Sequence, residues 1–399
     1  MALFGRKGTA PSGDEVETPR RTLAAPPADV DGRRGLDEHR AWVLSMIEPL
    51  APLGLGLADA AGLYLCEDIR ADTDLPPVPL AETDGFAISA ASRATTTPVG
   101  AGEPLPAGTD TVVPAWLCAV DAAGVLRVTG QVCQGDWVRP AGADAAVGEH
   151  VARDGDLVSP RRAALLAQAG YDRLLVRPRA RVVVVAVDRP AGERPAATAS
   201  GSALVTGALR QEGVTVWRVA VPAGDAEAVA ETIGNELIRA DLVVCCGGLE
   251  EDESVLAGVL AGMGPLDVVS LAIEPGGRYG FGLVGEESVP LLAVPATAAA
   301  ALVAHLALIR PVVQALGGAA APVTTVAHPV THALPGAQVR QFVPGSLVPH
   351  RSGASGVRPL ASRGVWPARA LVAADVLMDV PAGHVIRPGD PVACWPLQA

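Results

Sequence analysis

Residues 181–187 read RVVVVAV. A β-branched run without polar alternation is the pattern of a strand buried on both faces, as in a parallel sheet covered by helices. Working outward toward the C-terminus, the sequence predicts a helix around 202–212, a strand at 214–221 and a helix at 225–238. A strand at 241–246, a helix at 253–261, strands at 268–273 and 291–294 and a helix at 298–316 follow. This alternation describes a doubly wound α/β domain over 179–318, whose ligands sit beyond the carboxyl ends of its strands. Toward the N-terminus, Ser159 as N-cap, Pro160 at the first helical position and Gly170 as C-cap frame another helix. Before it, residues 75–153 hold short β-type runs cut by Gly and Pro (110–116, 125–129 and 131–138), the signature of a compact inserted β domain. The first helix starts near Leu36, where Trp42, Val43, Met46 and Ile47 recur at helical spacing until Pro49. Residues 1–35 mix charges without apolar periodicity and are expected to be disordered. After Gly317 and Gly318, short β runs return and form a small C-terminal β barrel over 319–399. The fold class is α/β plus β and multi-domain: a helical linker domain over 36–178 carrying the insert, the doubly wound domain and the barrel.

Composition narrows the chemistry. Lys and Arg number 31 against 43 Asp and Glu in 399 residues, a formal charge of −12, opposite to a nucleic-acid-binding surface. Lys7 is the only lysine, so a compact ammonium is absent from the predicted folded body. Six cysteines form neither a CxxC pair nor a disulfide framework, and without a recognisable secretory leader a reducing cytoplasm is the expected compartment. Cys245 and Cys246 point to opposite faces of one strand, which argues against joint metal ligation. The dispersed His328, His332, His350 and His384 lack metal-ligand spacing and read as surface or loop residues. Trp116, Trp137, Trp217, Trp366 and Trp395 read as core anchors. The apolar stretch 289–309 contains Pro290, Pro295, Thr297 and His305, and reads as a strand, a turn and an alanine-rich helix rather than a membrane span.

Two segments carry a family resemblance: residues 102–113, GEPLPAGTDTVV, and residues 82–88, ETDGFAI. They resemble the GxPLPxGxDxVV and MDGYA patterns of the MoeA and gephyrin E-domain family, the molybdopterin molybdenumtransferases. RPAGAD at 139–144, ADLVVCCGG at 240–248, EPGGRYGFG at 274–282 and the stretch 371–392 are similar to further family segments in the same order. The resemblance spans about residues 36–397 and implies a MogA-like α/β domain and an elongated homodimer, with the active cleft between the α/β domain of one subunit and the first domains of its mate. It implies insertion of molybdate into adenylylated molybdopterin with Mg²⁺ assistance. Asp84, Asp144 and Asp188 match catalytic carboxylates. Gly247, Gly248 and Pro295 match substrate-binding positions, Arg278, at a family proline position, is the candidate substrate contact beside them, and Asp188 and Asp252 match metal-binding ones.

The departures fall on one physical task. Glu274 and Gly277 stand where the family has lysines facing an anion, and a glutamate there turns attraction into repulsion. The glycine-rich phosphate loop carries Glu250, Glu251, Asp252 and Glu253. Arg189 replaces a glutamate, and Ala296, Thr297 and Ala298 replace the rest of a PGNP turn. Two functions stay open: the enzyme, with Arg278 as an anion contact, and a catalytically degenerate dimeric scaffold that binds a protein partner in a groove near its C-terminal domain, as gephyrin does.

Overall fold

The computed structural model describes residues 23–28, 31–91, 96–120, 126–188, 196–250, 254–319, 325–349, 355–362 and 366–397. The main sheet consists of β1 (Arg33–Arg34), β2 (Arg181–Asp188), β3 (Thr215–Pro222), β4 (Leu242–Cys246), β5 (Leu266–Leu271), β6 (Arg278–Val284) and β7 (Val289–Val294), in the spatial order β1-β5-β6-β7-β4-β2-β3. Its helices are α1 (Leu36–Ser45), α2 (Ala196–Gln211), α3 (Ala226–Leu237), α4 (Val255–Met263) and α5 (Ala298–Leu316).

The 181–187 run lies inside this sheet, as its pattern requires. β2 pairs in parallel with β3 on one side and β4 on the other, and the side chains from Val182 to Val187 are sealed from solvent. Each fully buried valine contributes roughly 2 kcal/mol through removal of apolar surface from water. Alternation sends Val182, Val184, Val244 and Cys246 into one core with Val43 of α1, Leu209 of α2 and Ala301 of α5. Val183, Val185, Val243 and Cys245 enter the other with Ile233 of α3 and Leu260 of α4. The vicinal cysteines therefore sit on opposite faces, and burial pushes both thiols up, Cys246 to about 12, so they stay neutral.

Ser159 and Asp225 cap their helices as read, accepting from the backbone N–H groups of Arg162 and Ala228 at 3.2 and 2.9 Å. The apolar stretch resolves into β7, a turn and α5. α5 is long and apolar enough to cross a membrane, and most of it is buried inside the protein.

Four expectations are corrected. β6 runs antiparallel between β5 and β7, so strand and helix do not alternate strictly. Residues 131–137 do not form a strand: 134–137 make a turn, with Trp137 at φ 51°. Trp116 is not a core anchor; it is 67% exposed on a short 3₁₀ turn, Ala115–Leu117. The charged tail is ordered from before residue 35: β1 adds in parallel to β5, and the buried Arg34 finds partners there. Its guanidinium donates to Asp267 Oδ2 at 2.7 Å and to His39 Nδ1 at 3.0 Å and lies over Trp42. Residues 1–22, 29 and 30 of that tail lie outside the described residues.

In the middle segment, Leu53–Gly56 and Tyr64–Leu65 pair with Arg173–Arg177 around a separate core that includes Leu166 and Val176. Within the insert, Gly85–Ile88 pairs with Thr97–Val99 and Thr111–Pro114. The C-terminal sheet contains Arg340–Pro349, Val376–Val380, Pro391–Pro396 and Val326–Pro329, with Ser355–Pro359 paired to the first of these. A bridge between Val330 and Val357 closes it into a barrel. Phe342, Leu377 and Trp395 of the barrel share the core of α1 and α5.

Two buried ionic groups yield expectations. Glu212 accepts from Arg310 Nε at 2.6 Å and faces His305 Nε2 at 2.9 Å, and His305 is fully buried. Glu212→Ala leaves Arg310 without its counter-charge and the buried His305 Nε2 without its hydrogen-bond partner, and urea unfolding is expected to show a loss of about 3 kcal/mol. Burial and the adjacent Arg34 lower the His39 pKa to about 4. Only the unfolded chain takes up this proton between pH 6.5 and 4, so His39 costs stability progressively as pH falls through that window. The slope is about 1.4 kcal/mol per pH unit. His39→Gln is expected to flatten this part of the stability–pH profile measured by urea titration at pH 7, 6 and 5.

Candidate active site

The carboxyl ends of β2, β4 and β7 and the start of antiparallel β6 lie along one edge of the sheet, and most of the expected α/β site residues are there. Asp188 ends β2, Gly247 and Gly248 follow β4, Pro295 follows β7 and Arg278 opens β6. Gly247 N–H donates to the Val294 carbonyl at 2.8 Å, tying the glycine turn to the end of β7. A Cβ at Gly277 would lie 2.7 Å from Pro295 Cγ, and one at Gly201 of α2 would lie 2.2 Å from the Ala296 carbonyl oxygen. The turns are thus packed backbone against ring and backbone.

The glycine turn is a rigid presenter of one amide. Gly248 has φ +87°, and a Cβ there would meet Val187 Cγ1 at 2.9 Å and Leu256 Cδ2 at 3.0 Å. Its N–H donates to Glu250 Oε2 at 2.8 Å. The expected anion cradle is therefore engaged on both amides: Gly247 binds Val294 and Gly248 binds the loop's own glutamate.

Glu274 lies elsewhere than expected. It ends the short strand Ile273–Glu274, which joins the C-terminal sheet beside Arg340 and Gln341, and its Oε2 accepts from Gln341 Nε2 at 3.0 Å. It lines a cleft of about 720 Å³ with Arg33, Ile273 and barrel residues Gly336, Gln338 and Gly383. Gln341 itself is buried.

Asp84 and Asp144 are held in the insert, whose sheets are separate from the seven-stranded one. The exposed Asp84 accepts the Ala101 N–H at 2.8 Å, and Asp144 pairs with Arg139. Within one chain they do not join the α/β edge through any strand pairing.

Among the described residues, no group of three or more His, Cys, Asp or Glu side chains comes together to hold a metal ion. Asp252, Arg189 and the Asp188 side chain lie outside the described set, as does His350. The described carboxylate at the edge, Glu250, is already bonded to Gly248, so the described donors do not make up a Mg²⁺ site. His328 Nδ1 bonds the Ser355 carbonyl at 2.9 Å and His384 Nδ1 the Ala382 carbonyl at 3.0 Å, both local surface contacts.

A doubly wound domain with a candidate ligand edge at its strand ends, a β insert upstream and a fused C-terminal barrel define a class of multi-domain α/β-plus-β proteins. The model of the MoeA N-terminal region (domain I and II) matches residues 34–170. Molybdopterin molybdenumtransferase 1 of Mycobacterium tuberculosis is 28% identical over 334 residues, covering 70% of this chain and 78% of the relative. Molybdopterin molybdenumtransferase 2 of the same organism is 25% identical over 411 residues, covering 91% and 100%. The crystal structure of the MoeA molybdopterin biosynthesis protein from Pyrococcus horikoshii shares the fold, with TM-score 0.70 at 18% identity and coverage of 91% and 100%. Residues 34–170 carry the match to the MoeA family model, and the similarity to MoeA-type proteins extends along most of the chain.

The Gly277–Pro295 contact makes any side chain at position 277 costly. The clash arises at Cβ, so Gly277→Ala and Gly277→Lys are both expected to lose about 2 kcal/mol, read as a matching drop in thermal midpoint.

Proposed function

We propose that this protein acts in molybdenum cofactor biosynthesis as a MoeA-type molybdopterin molybdenumtransferase, with adenylylated molybdopterin and molybdate as substrates. The observation that carries the reading is the convergence of Gly247, Gly248, Arg278 and Pro295 at the carboxyl edge of the sheet, where α/β proteins bind ligands. Arg278 supplies the guanidinium in place of the family's lysines, a forked donor suited to two oxygens of one oxyanion. Asp84 and Asp144, remote from that edge within one chain, serve the edge of a dimer mate. Mg²⁺, held by Asp188 and Asp252, would supply charge neutralisation at the phosphates. The proposed organisation is 36–178, 179–318 and 319–399 in a cytoplasmic homodimer.

A second reading has its own observation. Glu274 bonded to Gln341, Gly277 closed by Pro295 and Glu250 bonded to Gly248 remove three elements of an anion site, whereas the cleft between residues 273–274 and the barrel remains open. That combination suits a scaffold which takes a protein partner in the cleft.

Complementation separates the two. Expression in a strain lacking its molybdenumtransferase is expected to restore molybdenum-enzyme activity, and Asp84→Ala is expected to reduce it by roughly 100-fold. Absence of rescue, together with no binding of adenylylated molybdopterin by the purified protein, would favour the scaffold.

A further inference from the structure

We propose that Glu250 is a specificity-determining residue: a carboxylate that the chain places on its own anion cradle and that an oxyanion ligand must displace. The inference rests on the enzyme reading above, whose site it refines.

The geometry separates a fixed acceptor site from a movable occupant. Gly248 is locked by its positive φ and by the Val187 and Leu256 side chains where a Cβ would stand, so its N–H cannot turn to another acceptor without repacking the core. Gly247 offers no alternative amide, because it is bonded to Val294. Leu249 is buried at 3% exposure and anchors the turn in the core beneath α4, whereas the next residue, Glu250, is exposed. Rotation about its own side-chain bonds is enough to take Glu250 off the amide. The Gly248 N–H would then be left without that acceptor.

A tethered carboxylate two residues away competes at high effective concentration. A free inorganic oxyanion, with one or two contacts and a charge of the same sign, competes poorly against it. A phosphate ester carried on a larger molecule brings further contacts and displaces Glu250. At the Gly248 amide the residue thus discriminates against small free tetrahedral oxyanions and in favour of an oxyanion attached to a larger body, so the molybdate of the proposed reaction is received elsewhere than at this amide.

The test compares the unsubstituted protein with Glu250→Gln and Glu250→Ala, using inorganic phosphate and molybdate as probes in calorimetric titrations. A second measurement follows hydrogen exchange of the Gly248 amide without ligand. Glu250→Ala is expected to bind both anions at least about tenfold more tightly and to speed exchange at Gly248 by a similar factor, with Glu250→Gln between. Equal anion affinities in all three proteins would overturn the proposal, as would an unchanged Gly248 exchange rate. Loss of the enzyme reading would appear separately, as failure of the unsubstituted protein to bind adenylylated molybdopterin, and the anion and exchange shifts would still decide the role of Glu250.

Discussion

Two-sided burial of β2 is the constraint on which the rest of the molecule hangs. A strand sealed on both faces needs helices above and below, and α1, α2 and α5 on one side and α3 and α4 on the other meet that need. Parallel pairing to β3 and β4 then fixes strand direction, and direction places the ends of β2, β4 and β7 at one edge. The candidate site exists because these apolar requirements have one geometric solution.

At that edge and beside the barrel, the groups that the resemblance would offer to an anion are engaged within the chain. The glutamate in a lysine position is held by a buried glutamine from the barrel, the glycine in the other lysine position is filled by a proline ring, and the glycine-turn amide is held by the following glutamate. Buried or rigid donors are costly to leave unpaired, so loss of a ligand contact tends to be answered by an intramolecular one. The departures are therefore structurally coherent, each closed by a neighbour already in place.

Much of the architecture was legible because periodicity reports burial. RVVVVAV and the capped helices after Ser159 and Asp225 follow rules of strand burial and orphan amides that act within a few residues. β6 was not legible as a strand: Gly280 and Gly282 lower strand propensity, yet close approach demands them, since a Cβ at Gly280 would lie 3.1 Å from the Ala293 Cβ. Arg34 looked like one charge among many in a polar tail, and only its pairing with Asp267, 233 positions away, makes it part of the sheet. Site positions followed from motif order, but their bonding did not. That Glu250 turns back onto Gly248, or that Glu274 joins the barrel, depends on contacts no local pattern encodes. Trp116 shows the reverse limit, because a large aromatic residue carries no local mark of being exposed.

The middle of α5, His305–Ile309, is wound as a π-helix. In an uninterrupted α-helix, five residues turn through about 500°, so side chains at that spacing point some 140° apart. The wider π turn brings His305 and Arg310 onto the same carboxylate of Glu212. The helix is therefore wound as well as composed: the π turn absorbs one extra residue, and the same five-residue spacing in regular winding would swing His305 and Arg310 apart. Winding, at this point of the chain, matters as much as residue identity.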